Sequence, residues 1–216
     1  GGLVGSEMCI RDRTGVGFQP DWLWIKVRNQ VGSHYLADSS RGLGTGDSMR
    51  VLMTNGTIAE YSAENDQVRS FDTDGFTLDD NTDNTWYVNR SSDTYVAWNW
   101  KANGGTTTSD TTGSLTVNRQ TNSDAGFSII TGTTSNVQAN DMTETFGHGL
   151  GGTPDFIILK TRSVSYAWSV WTSAITINDV QGLQLNTTGA LFTNSSYRTI
   201  QATSSVVQIG LSLIHI

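Results

Sequence analysis

The chain has 216 residues, with 13 Lys and Arg against 20 Asp and Glu, a net charge of −7 and only 15% charged residues. That acidic balance disfavours nucleic acid and anionic lipid headgroups as partners, and no apolar run approaches the roughly 20 residues that span a bilayer. Neither nucleic-acid binding nor membrane insertion is therefore expected. Abundant Ser, Thr and Asn, 23 Gly, 7 Trp and 6 Tyr, without a long 3.6-residue period, predict an all-β fold of short strands and many turns.

In chain order, Pro20-Asp21 precedes four large apolar residues, Trp22 to Ile25, and then Lys26 and Arg28. Proline fixes φ and lacks an N–H, so it belongs just before a strand. Four consecutive apolar residues predict a central strand covered on both faces, with Lys26 and Arg28 marking its exit to solvent rather than an anion site. Short strands follow over Ser33 to Asp38 and Val51 to Thr54, the latter stopped by the turn dipeptide Asn55-Gly56. Val68 to Phe71 and Gly75 to Leu78 flank a turn at Asp72-Thr73-Asp74-Gly75. Thr94 to Lys101 reads as a closing strand with Val96, Trp98 and Trp100 on one face, and these tryptophans are expected in core or inter-sheet packing. The stretch 102–113 is rich in Gly, Thr and Ser and reads as a flexible linker. Ser114 to Asn118 and Gly126 to Thr131 then read as a hairpin.

The chain repeats itself. Gly151-Gly152-Thr153-Pro154-Asp155, followed by Phe156 to Leu159, Lys160 and Arg162, lines up with Gly17-Phe18-Gln19-Pro20-Asp21 and its apolar run. Asn186-Thr187-Thr188-Gly189-Ala190 matches Asn55 to Ala59, and Thr203 to Ile209 matches Ser70 to Leu78 more weakly. Three matches in the same order at a near-constant offset predict two tandem, related β-sandwich modules. The first, 14–101, is expected to lack an opening hairpin, and the second, 114–210, a closing strand.

No catalytic constellation emerges, and no enzyme activity, cofactor or metal is expected. The acidic run Asp79 to Asn84 fails an EF-hand frame, with Asn84 at the glycine position and Arg90 at the bidentate Glu position; a solvated hairpin tip is the expectation. His34 and His148 lack a hydrolase motif around them, and Glu60, Glu64, Asp72 and Asp74 read as turn carboxylates rather than a glycosidase pair. Two functions stay open. One is a structural module; the other is glycan binding, with Trp86, Tyr87 and Trp171 as stacking platforms. Exposure of the aromatic residues separates them.

Gly15 to Lys26, Ser70 to Leu78, Asp93 to Ala102, Ala125 to Ile130 and Gly147 to Asp155 resemble recurring landmarks of modules in marine tailed-phage tail-fibre and related virion proteins. That resemblance implies tandem lectin-like sandwiches of the concanavalin type in a virion. Their partners would be other virion proteins, further copies of the chain, or host surface glycans. The alternative setting is an extracellular or cell-surface adhesin. The two ends resemble something else. Leu211 to Ile216 can be encoded by the reverse complement of a DNA word that encodes Met8 to Asp12 and begins Arg13. This resembles the end sequence of transposon-based sequencing libraries. Residues 1–13 and 211–216 are therefore expected to be adaptor translations, Cys9 and His215 included. The remainder has no cysteine for disulfide or thiolate chemistry.

Overall fold

A computed structural model describes residues 12–43, 49–62, 68–79, 88–134, 144–174, 181–193 and 200–210. The described chain is all β. Its first four-stranded sheet is built from β2 (Trp22–Val27), β3 (His34–Asp38), β4 (Val51–Met53) and β7 (Tyr95–Trp100), in the order β4-β3-β2-β7. Opposite it lies a three-stranded sheet of β1 (Asp12–Thr14), β5 (Val68–Asp72) and β6 (Gly75–Leu78), in the order β1-β6-β5.

The core between them follows from the period of two. Leu23, Ile25 and Val27 point inward and are at most 2% exposed. Leu23 and Ile25 pack with Tyr35, Ala37 and Val51 of their own sheet and with Val68, Phe76 and Leu78 of the other. β2 is central, as its apolar run predicts, but only its inner face is fully buried; Trp22 and Trp24 on the outer face are half-buried. The turn into β6 requires glycine. A Cβ at Gly75 would lie 1.7 Å from the Arg13 carbonyl oxygen, because β1 runs directly against it with Thr14 opposite Gly75.

The second half reproduces this plan. β11 (Glu144–Gly147), β16 (Ile200–Ala202) and β17 (Val206–Ile209) form a sheet in the order β11-β17-β16, the counterpart of β1-β6-β5. β12 (Phe156–Leu159), β13 (Ser169–Thr172), β14 (Gln181–Gln184) and β15 (Phe192–Thr193) form the other, with β12-β13-β14 corresponding to β2-β3-β4. Local bonds repeat too. Ser39 Oγ donates to Asp21 Oδ1 at 2.7 Å, and Ser173 Oγ donates to Asp155 Oδ1 at 2.6 Å. Ile157, Leu159 and Trp171 face the second core with Phe146, Val207 and Ile209.

One expectation for β12 needs correction. It is an edge strand among the described residues, and Phe156 is 59% exposed rather than buried. In the first sheet β7 covers the corresponding edge of β2; the second sheet has no described equivalent. An exposed Phe is the physical consequence.

The segment expected as a flexible linker has a defined structure. β8 (Thr108–Asp110) pairs with β9 (Val117–Asn122), which pairs with β10 (Phe127–Gly132). Before β8, the N–H groups of Ala102 and Gly104 donate to Asp21 Oδ2 at 2.7 and 2.9 Å, and that of Gly105 donates to Oδ1 at 2.7 Å. A fully buried carboxylate collecting three backbone donors fixes the chain where composition alone suggests freedom. β9 also starts later than expected and runs through the polar residues Asn118 to Asn122. Gln120 explains this: it is fully buried and donates to Ser39 Oγ and Ser40 Oγ at 2.8 and 2.7 Å, while accepting the Gly105 N–H at 2.9 Å. The hairpin thus binds the first unit with polar bonds, and the second core through Val117 and Ile130.

His148 is 1% exposed beside β11. Its Nδ1 accepts the Leu150 N–H at 3.3 Å, and its Nε2 faces the Thr203 carbonyl at 3.2 Å. These partners suit the neutral ring with its proton on Nε2. Burial is the largest cause holding its pKa below 6.5; the Thr203 bond opposes that shift. The unfolded chain therefore binds a proton more readily as pH falls below about 6.5. Stability is fully present above that value and declines toward the lower folded pKa. Thermal melts at pH 7.5 and 5.5 should show lower stability at 5.5, with a shallower pH slope in His148→Gln. An unchanged slope would count against this role. His34, whose pKa is also lowered by burial and then by Lys26, should supply the residual slope.

Candidate functional site: a tryptophan-lined groove

The outer face of the first four-stranded sheet carries the chain's largest cluster of described aromatic rings. Trp22 pairs with Trp100 across β2 and β7, and Trp24 with Trp98. The Trp22 and Trp100 rings meet edge to face at 4.6 Å, and those of Trp24 and Trp98 tilt together at 5.6 Å. Phe127 of the β9–β10 hairpin stacks on Trp100 at 6.3 Å and fixes one end of the row. Aromatic contacts of this kind contribute about 0.5–1.5 kcal/mol beyond area burial, so the rings hold one another in place.

Part of this outer face is covered by the second unit. Trp168 is 2% exposed, packs with Leu36 and Leu52, and brings Ile158 and Leu185 against the same patch. Its Nε1 donates to the Met53 and Gly56 carbonyls at 2.9 and 3.1 Å. That coverage stops short of β7. Trp98 remains 43% and Trp100 39% exposed. Trp24 also walls a cleft of about 650 Å³, with His34, Thr54, Asn55, Leu185 and Asn186. Thr54 Oγ1 accepts the Trp24 Nε1–H at 3.0 Å, which orients the indole. Small-molecule clefts span roughly 300–1,000 Å³ and combine apolar walls with a few polar groups; this cleft has both features.

Trp98 and Trp100 are thus surface rings, contrary to the expectation of core packing. β7 is an edge strand among the described residues, and although Phe127 of the hairpin reaches Trp100, both indoles keep an exposed face. Of the residues expected as platforms, Trp171 is half-buried and packs on the second core opposite Ile157. Trp86 and Tyr87 lie outside the described residues. Alternation along β7 put Val96, Trp98 and Trp100 on one face; which face met solvent was not visible in that pattern.

The other candidate residues have structural partners. Asp79 is not a solvated tip: it is 1% exposed and accepts from Arg69 Nη1 at 2.6 Å, while 80–84 fall outside the described residues. Asp72 accepts from the Ser70 and Thr77 hydroxyls, and Asp74 from the Gly15 and Gly17 N–H groups. Glu64 lies outside the described residues. Glu60 sits between the units. It accepts from Arg162 Nε and Nη2 at 2.8 and 2.9 Å and from Arg41 Nη1 at 3.0 Å. Burial pushes its carboxyl up, but the bonds from Arg162 and Arg41 outweigh that and hold it below the usual range. Lys160 is pushed down to about 8 by burial and donates to the Thr57 and Thr161 carbonyls.

Residues 3–214 match the family described as "Domain of unknown function (DUF7483)". The chain belongs to the DUF7483 family. No curated protein and no solved structure is a significant match. The DUF7483 match takes in both halves of the repeat, so the groove at their junction lies within a single family unit.

Proposed function

We propose that this chain is a non-catalytic glycan-binding module whose site is the tryptophan-lined groove. The observation that carries the reading is the pair of exposed rings Trp98 and Trp100, backed by Trp22 and Trp24, of which Trp24 also walls a polar-rimmed cleft. Indole faces accept the apolar C–H faces of sugars. Asn55, Asn186, Thr54 and a neutral His34 stand along the cleft as hydroxyl partners. A net charge of −7 disfavours sialylated or sulfated chains by long-range repulsion, so the ligand class is a neutral oligosaccharide.

The resemblance to tail-fibre landmarks supplies the setting: a lectin-like sandwich repeat in a phage virion, meeting host surface sugars. A purely structural role is favoured by a different observation, the junction in which Glu60 binds Arg162 and Trp168 caps β3 and β4. A pair of units joined by such contacts suits a fibre spacer.

Titrating the chain with neutral oligosaccharides while following indole fluorescence tests the proposal. Binding should weaken by roughly tenfold in Trp98→Ala and in Trp100→Ala, the loss of one stacking contact, with the melting temperature falling by only a few degrees, more in Trp100→Ala because its ring also meets Trp22 and Phe127. Trp171→Phe should bind as the parent chain does. Binding indifferent to Trp98 and Trp100, or none across a panel of neutral glycans, would return the chain to the structural reading.

A further inference from the structure

Two Asn-Gly pairs occur in the chain, Asn55-Gly56 and Asn103-Gly104. In such a pair the backbone nitrogen attacks the preceding side-chain amide most readily, because glycine puts no side chain in the way. Both asparagines are exposed, so solvent access does not separate them. Their bonding does. The Gly104 N–H donates to the buried Asp21 carboxylate at 2.9 Å, and Asn103 Nδ2 donates to the Thr106 carbonyl at 3.0 Å. A neighbouring anion opposes loss of that N–H proton, which holds this nitrogen out of reaction. The Gly56 N–H meets only a neutral acceptor, the Met53 carbonyl, in a long bond of 3.4 Å. The Asn55 side-chain carbonyl accepts the His34 N–H at 3.0 Å, which draws electron density from Cγ and makes it the better electrophile. Nor does the turn require glycine at 56. Gly56 has no positive φ, and a Cβ there would meet only Met53 Cβ at 4.0 Å.

We infer that Asn55 is a site of spontaneous backbone modification, passing through a succinimide to aspartate and isoaspartate, and that this change loosens the junction between the two units. The deprotonated Gly56 nitrogen bonds to Asn55 Cγ. The Cγ–Nδ2 bond breaks, and the amide nitrogen takes up a proton and leaves as ammonia. Water then opens the five-membered imide at either carbonyl. Opening at the Asn55 backbone carbonyl gives isoaspartate, which carries one extra main-chain carbon. The turn lengthened in this way is where the second unit docks. Trp168 Nε1 donates to the Met53 and Gly56 carbonyls at 2.9 and 3.1 Å. The Thr57 carbonyl accepts the Tyr166 N–H at 2.7 Å and Lys160 Nζ at 3.2 Å. An added atom between residues 55 and 56 shifts the Gly56 and Thr57 carbonyls relative to that of Met53, so these bonds are no longer kept together. The inference stands on this geometry and is independent of the glycan reading.

Ageing the full chain at mildly alkaline pH, with peptide mapping by mass spectrometry, tests it. In the folded chain Asn55 should convert at least tenfold faster than Asn103, and in the guanidinium-unfolded chain the two should convert alike. Gly56→Ala should slow conversion at Asn55 about tenfold while melting close to the parent chain. Residue-resolved hydrogen exchange of the aged fraction should show the Tyr166 N–H exchanging faster than in fresh protein. Equal rates at the two asparagines in the folded chain, no conversion at Asn55, or a rate indifferent to Gly56→Ala would overturn the site. Unchanged exchange at Tyr166 in isoaspartate-containing chain would overturn its link to the junction.

Discussion

Asp21→Ala should lower stability by about 3–5 kcal/mol, the loss of several charge-assisted hydrogen bonds to a buried carboxylate. Asp21 is fully buried and accepts from Ala102, Gly104, Gly105 and Ser39. Gly105 retains Gln120 as an acceptor, but Ala102 and Gly104 lose theirs. For a chain of this size the melting temperature should fall by roughly 10 °C. Asp155→Ala is the internal control. The same motif position is exposed there and takes a side-chain bond only from Ser173 among the described residues, so the expected loss is under about 1 kcal/mol. Circular-dichroism melts of the two variants measure the contrast. Equal losses would mean that the turn after β7 does not depend on Asp21.

Glu60→Ala should be comparably damaging, by about 3–5 kcal/mol, because it removes a shared partner from a buried guanidinium. The Arg41 side chain is 2% exposed and keeps Asp38 alone as its counter-charge. Arg162, 39% exposed, can rehydrate, so Arg162→Ala should cost less. The two losses differ in kind as well. Glu60 bonds Arg162 across the junction of the units through both side chain and backbone, the Glu60 N–H reaching the Arg162 carbonyl at 2.8 Å. Proteolysis and hydrogen exchange should therefore detect a loosened junction before global unfolding. The pH dependence follows from the depressed carboxyl. Its contribution is fully present above the unfolded value of about 4.3 and is lost as pH falls through the lower folded value. Acid unfolding of the parent chain below about pH 4.5 should be steeper than that of Glu60→Ala.

Much of the architecture could be read from residue order. The all-β class follows from β-branched and aromatic residues between turn formers, and the repeat follows from Pro20-Asp21 and Pro154-Asp155 leading equivalent apolar runs. Those cues are local: a proline that must precede a strand, and an alternation that must fill a pleat. β9 was harder to place because its central residue is a glutamine, and a buried amide is stable only when partners far away in sequence satisfy it. Ser39 and Ser40 do so from the other unit. The order of the Gly-rich stretch 102–113 was hidden for the same reason, since its acceptor, Asp21, lies some 80 residues earlier.

By itself, then, the sequence determined the strand class, the two-fold repetition and the alternation that sets Trp98 and Trp100 on one side of β7. Only the tertiary structure decided which side meets solvent. Trp168 of the second unit covers Leu36 and Leu52 of the first and stops before β7, leaving both indoles exposed. A period of two divides the residues of a strand between two faces, but burial of either face depends on what another part of the chain lays against it. The same reasoning applies at β12, whose apolar run matches that of β2 although Phe156 is exposed: apolar residues state that a strand can be covered, and the neighbouring strand determines whether it is.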